Sequence, residues 1–275
     1  MSRPARENGA HSRCVRLSAR LGAVAASVGR VDVAADIGSD HALVPIALIE
    51  AGMAQRAIAV EVSNGPLQIA RQAVCAAGMA DRISVRSGDG LAPIAEGEAQ
   101  AVVIAGMGAP AIWRILTHPH ALAVLAHGPL LIVQPMENAG LLRFFAQSAG
   151  MRTLRDTRVK ENGFIYECLT FVLSDERQFA RFCRRSSGWW LAAYHELSPE
   201  LRMRHWCGEF GLLTGCRLLR ESATAELKKL DGILERMAGG AGERMERRRR
   251  EIQAKRAALG DLTAGLPDGS AAGRP

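Results

Sequence analysis

The chain has 275 residues, 48% of them hydrophobic and 23% charged, with 35 Lys and Arg against 28 Asp and Glu. That length suits one sizeable α/β domain with an appendage, and no stretch approaches the roughly 18 consecutive apolar residues of a membrane span. Six cysteines lie scattered at 14, 75, 168, 183, 207 and 216, with no CxxC pair and no HExxH. This pattern argues against a metal site and against a disulfide scaffold, and it suits a reducing, cytoplasmic location.

Residues 1–15 read as a flexible start. Leu17, Leu21, Val24 and Val28 then recur at helical spacing, and Arg20 interrupts the apolar run. The segment reads as an amphipathic helix and not as an export signal. Beyond it, apolar runs at 31–37, 57–61, 83–85, 101–105 and 130–133 read as buried strands. Helical stretches fall between them at 41–51, 66–77, 110–116 and 137–149. Such alternation implies a parallel sheet covered on both faces. Two further strands, 153–159 and 164–173, flank Glu161-Asn162-Gly163. Asn-Gly is a hairpin turn signal, so the two are expected to pair antiparallel and close one edge.

From Ser174 onward helical spacing dominates. Leu227, Leu230, Leu234 and Met237 alternate steps of three and four. This fits either a short coiled-coil seam that dimerises weakly or a helix packed on its own domain, leaving monomer and dimer both open. The string AGGAG at 238–242 breaks the helix, Arg247–Arg250 follow, and 260–275 reads as a disordered tail. Trp189, Trp190 and Trp206 are expected in the core of the helical part. Residues 1–173 hold 16 basic against 14 acidic groups and 174–275 hold 19 against 14. The basic excess fits a polyanionic partner, and solvated helix faces fit equally.

Ligands of open α/β sheets sit outside the carboxyl ends of the strands. The first strand delivers Asp36-Ile37-Gly38-Ser39-Asp40-His41 there. Gly38 permits close approach, but this is not GxGxxG, and a pyrophosphate would meet the Asp40 carboxylate. A ligand with an amino or sulfonium cation suits the loop better, and an ordinary strand–helix turn with Asp40 near the N-cap is the alternative. Glu61 ends the second strand, where an acid can accept both ribose hydroxyls. Asp89 stands between Gly88 and Gly90, able to take an adenine amino hydrogen. Gly106-Met107-Gly108 end the fourth strand and Gln134-Pro135 the fifth, with Gln134 expected to read a base edge. Jointly these residues describe a nucleoside pocket with carboxylates and no phosphate cradle, which favours S-adenosyl-L-methionine over ATP or NAD.

The strings LSARL at 17–21, ADIGSDHA at 35–42, Glu61-Val62 with Gly65-Pro66, GDGL at 88–91, IAGMG at 104–108, Gln134-Pro135 and Tyr166-Glu167 occur in that order. Over about residues 17–173 this pattern resembles the TrmK family of bacterial tRNA (adenine(22)-N(1))-methyltransferases. The resemblance implies a class I, Rossmann-like seven-stranded sheet with one antiparallel edge strand, an N-terminal helix and a helical extension. It assigns 16–173 to the methyltransferase domain and 174–259 to the extension. It implies S-adenosyl-L-methionine as donor and N1 of a D-arm adenine in tRNA as acceptor. By position, Asp36, Gly38, Asp40 and His41 would hold the methionine end of the donor. Glu61 and Val62 would hold the ribose side, Asp89 and Gly90 the adenine, and Gly106 and Met107 would border the transfer site. Asp40 is the candidate to stabilise the charge formed on the base. Gly108, Gln134 and Tyr166 would line the acceptor pocket, and Arg16 and Arg20 would reach tRNA phosphates. The pattern departs from the family at Ala109, Met136 and 161–165, positions that bear on acceptor selectivity. A methyltransferase for a small molecule or protein, and a non-catalytic donor-binding RNA protein, are the competing readings.

Overall fold

The computed structural model describes residues 15–184, 189–214, 216–239 and 242–266. The expected loose ends therefore lie, over 1–14 and 267–275, outside the described residues, as does the side chain of Trp190. Strands β1 (Val31–Ile37), β2 (Ala54–Glu61), β3 (Ile83–Ser87), β4 (Ala101–Met107) and β5 (Leu130–Pro135) run parallel. With β6 (Met151–Glu161) and β7 (Phe164–Leu173) they form one sheet in the order β3-β2-β1-β4-β5-β7-β6. The antiparallel strand is β7, and it lies between β5 and β6. The expectation of an antiparallel edge strand is thus corrected: β6 is the edge, because β7 pairs along both of its sides. Asn162 and Gly163, with φ of 50° and 83°, form the two-residue turn between them. Their left-handed backbone matches the twist of a hairpin.

Helices cover both faces. On one face α1 (Ala19–Val28), α2 (Leu43–Glu50) and α3 (Asn64–Ala76) pack on small residues such as Ala34, Ala57, Ala59 and Ala101. On the other, α4 (Ala109–Leu116), the five-residue α5 (Ala121–Leu125), α6 (Ala139–Ser148) and α7 (Glu176–Cys183) bury an aromatic core. Trp113, Phe145 and Phe182 meet there edge to face, with centroids 4.1 to 5.2 Å apart. Central strands carry continuous apolar runs because both faces are covered, Val102, Val103 and Ile104 being wholly buried.

The helical region comprises α8 (Trp189–Glu196), α9 (Pro199–Cys207), α10 (Glu209–Thr214), α11 (Arg217–Arg236) and α12 (Glu243–Ala264). Leu219, Ala223 and Leu230 of α11 are buried, and Leu227 joins Met203, Cys207 and Leu259 in a small core of α9, α11 and α12. Leu227 and Leu230, the first half of the leucine seam, therefore turn inward onto their own chain. Gly260 does not begin a tail: α12 continues to Ala264, and Leu266 is buried in the same core.

A charged seam fastens this region to the sheet. Arg143 of α6 donates through Nε and Nη2 to both oxygens of Asp156 at 2.8 Å, and through Nη2 to Glu167 at 2.6 Å. Its Nη1 donates to the carbonyls of His205 and Trp206. Arg158 donates to Glu167 and to the carbonyl of Cys207. Both arginines thus satisfy orphan carbonyls at the carboxyl end of α9, where the helix dipole favours cations. Burial alone would lower the Arg143 pKa, but the charge of Glu167 and the bonds to Asp156 hold it above its ordinary value.

Candidate active site at the carboxyl rim of the sheet

The loop after β1 forms the first half of the site. Asp36 is 6% exposed and accepts a bond from the Ser39 hydroxyl at 2.6 Å. Burial, opposed by that bond and reinforced by the charge of Glu61, pushes the Asp36 carboxyl up to about 7. Gly38 has φ of 72° and donates its N–H to Val60 at 2.9 Å. A Cβ there would clash only with Cε of Met107, the mobile end of a flexible side chain, so it is the left-handed backbone that calls for glycine. Asp40 and Ala42 follow in left-handed conformation, φ 51° and 53°. Non-glycine residues hold that conformation only where neighbouring bonds fix them. Here the Asp40 N–H donates to Oε1 of Glu61, and the Ala42 N–H donates to the Ser39 carbonyl at 3.0 Å. The Asp40 carboxylate is largely exposed, 3.7 Å from Nε2 of His41.

Glu61 closes β2 with 6% exposure, its pKa raised by burial against the pull of the Asp40 N–H and with the push of the Asp40 charge. Its other oxygen, Oε2, has no partner among the described residues. Val62, next in the chain, is 66% exposed. The turn after β3 stands beside β2, tied by the Gly88 N–H to the Glu61 carbonyl at 3.0 Å. It exposes Asp89, while Gly90, φ 57°, sits against Ile115 where a Cβ would come within 3.0 Å. Asp36, Gly38, Asp40, His41, Glu61 and Met107 are therefore one constellation, with Asp89 and Gly90 at its β3 side.

The second half lies across β4. Its pairing with β5 shifts between Ala105 and Met107, so Gly106, φ 76°, forms a bulge. Bulges of this kind redirect side chains beside functional sites. Gly108 precedes α4 as its N-cap residue, its carbonyl taking the Ala111 and Ile112 N–H groups. Gln134 is wholly buried. Its Oε1 accepts from Arg20 Nη1 at 2.6 Å and from the Gly106 N–H at 3.2 Å, and its Nε2 donates to Pro135 at 2.6 Å. The expectation that Gln134 reads a base edge is corrected, since both ends of its amide are engaged inside the protein. Tyr166 of β7 is half-buried and faces the Arg20 guanidinium. Arg16 is exposed and joins neither group.

Three residues noted in the sequence only as departures from the family pattern have roles here that it did not assign. Glu161 accepts the Arg20 backbone N–H at 2.7 Å, which holds its carboxyl below the usual range. Met136 and Phe164 are 47% and 67% exposed at the ends of β5 and β7. Met136 is a large apolar residue just beyond β5, and Phe164 is the first residue of β7 after the turn.

Comparison with known proteins gives concordant results. A methyltransferase-domain family model matches residues 17–169. Over 161 residues the chain is 37% identical to the tRNA (adenine(22)-N(1))-methyltransferase of Bacillus subtilis, covering 58% of this chain and 67% of that protein. Its fold is similar to the crystal structure of the B. subtilis M1A22 tRNA methyltransferase TrmK, with TM-score 0.75 and 30% identity over 90% of this chain and 99% of that one. It is also similar to Streptococcus pneumoniae Sp1610 in complex with S-adenosyl-L-methionine, with TM-score 0.71 and 29% identity over 90% of this chain and 100% of that one.

Proposed function

The chain belongs to the tRNA (adenine(22)-N(1))-methyltransferase family, and from that premise we propose that it transfers the methyl group of S-adenosyl-L-methionine to N1 of adenine 22 in tRNA. The observation that carries the reading is the pair of buried acids, Asp36 and Glu61, beside the side-chain-free Gly38. This set suits a cationic nucleoside. A pyrophosphate would face Asp40, Glu61 and Asp36 in succession, with no Lys or Arg among them.

When bound, the donor supplies an electrophilic methyl on a sulfonium sulfur. Asp36, Gly38 and His41 would hold its methionine end, Glu61 Oε2 its ribose, Asp89 and Gly90 its adenine, and Val62 the face of the ring. The lone pair of neutral N1 needs no protein nucleophile. The buried Cys168 and Cys207 and the half-buried Cys183 agree, since desolvation pushes all three up to about 11, leaving them protonated at neutral pH. The work of the chain is to hold two reactants at attack distance and to exclude water. Asp40, exposed and acidic, stabilises the positive charge that methylation places on the base. N1 lies on the pairing edge, so a paired target is first exposed, and the exposed ring of Phe164 offers a surface on which a base stacks. Arg16, with Arg247 and Arg250 on the open face of α12, supplies cations for phosphates.

The test is methyl transfer to unmodified tRNA followed by mass-spectrometric mapping. The expected product carries 1-methyladenine at position 22, and a transcript with guanine at 22 is inert. Methylation that persists on that transcript would sink the assignment.

Asp36 yields a pH prediction. Its folded pKa of about 7 lies above the ordinary 3.8. Without donor, the folded state keeps a proton that the unfolded chain loses between these values, so stability falls as pH rises through that window. A cationic donor selects the ionised form. Donor affinity is expected to rise roughly tenfold from pH 6 to pH 8 and then level off. Calorimetry on Asp36→Asn should show the slope gone; an unchanged slope would assign it to another group.

A further inference from the structure

Arg20 opens α1, outside the strand–helix units that build the donor half of the site. Its backbone N–H is held by Glu161 at the tip of the β6–β7 hairpin. Its side chain turns inward: Nη1 donates to Gln134 Oε1 at 2.6 Å, and the guanidinium lies over the Tyr166 ring, 5.7 Å from the centroid. A Cβ built on Gly106 would stand 3.6 Å from the same Nη1. Gln134 passes the contact on, because the oxygen that accepts from Arg20 also accepts the Gly106 N–H, at the bulge of β4. One planar cation thus joins α1, the ends of β4 and β5, and β7.

We propose that Arg20 is a positioning residue for methyl transfer: acting through Gln134 and Tyr166, it fixes the Gly106–Gly108 turn against which the target base is presented. The proposal takes the methyltransferase reading as given and replaces the role of phosphate contact that sequence assigns to this arginine. A guanidinium engaged with a buried amide and an aromatic face differs in a measurable way from one on a phosphate. Phosphate contacts set affinity and its salt dependence. A group that orders the reacting geometry sets the rate, since a misplacement of about 1 Å costs on the order of a hundredfold.

The experiment uses the full chain with Arg20→Gln and Arg20→Lys. It measures kcat and KM for tRNA, the Kd for S-adenosyl-L-methionine, and the salt dependence of tRNA binding. For Arg20→Gln, kcat is expected to fall about a hundredfold, with tRNA KM and donor Kd within about threefold. The slope of log K against log salt stays unchanged. Arg20→Lys, which keeps a donor for Gln134 but loses the planar face, recovers about a tenth of the activity. A raised KM with unchanged kcat and a slope reduced by about one unit makes Arg20 a phosphate contact and overturns the proposal. Parallel loss of kcat, donor binding and melting temperature makes the residue merely structural and overturns it too. Wild-type turnover is measured in the same assay. A failed family reading shows there as missing 1-methyladenine, whereas failure of this inference shows as an Arg20→Gln enzyme that turns over like the wild type.

Discussion

Asparagine in place of Asp40 is expected to slow methyl transfer by about a thousandfold while donor affinity stays within a few-fold. The choice of substituent matters because Asp40 sits at φ 51°. Asn tolerates the left-handed region almost as well as Asp, whereas Ala would add backbone strain to the loss of charge. The bond from the residue-40 N–H to Glu61 is a backbone bond and survives the exchange. Only the carboxylate is removed, and groups that stabilise charge or move a proton at the reacting base contribute 10²- to 10⁴-fold. Single-turnover rates and donor titration on the same variant decide the matter. If affinity and rate fall by the same factor, Asp40 serves the donor alone.

Arg143→Met is expected to lower stability by about 3–5 kcal/mol, the usual cost of removing one partner from a buried ion set. Asp156 has only 1% of its side chain exposed and would be left with an unpaired charge beside Glu167. The carbonyls of His205 and Trp206 would lose their donor as well, and each buried orphan acceptor adds its own desolvation cost. Urea denaturation checks this through the midpoint. The pair of Arg256 and Asp231 at the exposed α11–α12 contact is the control, and breaking it should leave the midpoint nearly unmoved. Equal midpoints for Arg143→Met and wild type would show that the seam does not hold the helices to the sheet.

Much of the architecture was legible, for a physical reason. Strands covered on both faces must be apolar throughout, so the runs at 101–105 and 130–133 announced themselves without alternation. Asn162-Gly163 identified the hairpin because few dipeptides accept two left-handed residues. Helix α5 was too short to display a period. The internal place of β7 depends on which strand β5 accepts as neighbour, a tertiary choice that no local pattern encodes. The donor half of the site was readable because one strand end after another carries its residue in chain order. The acceptor half was not, since Gln134 is saturated by an arginine 114 positions away. The seam had a quiet signal: Asp156 and Arg158 share one face of β6, and Arg158 pairs in register with Glu167. Charges at alternate positions suggest a solvated face, and burial became visible only when α9 was seen lying over them.

Neighbouring residues of β7 point to opposite sides of the sheet. Tyr166 meets Arg20 beside the cleft, while Glu167 is gripped by Arg143 and Arg158 beneath α9. The strand therefore acts as a shared beam between the reaction chamber and the helical arm. Because α12 packs on α9, the long C-terminal helix is fastened through two arginines to the same strand that carries Tyr166.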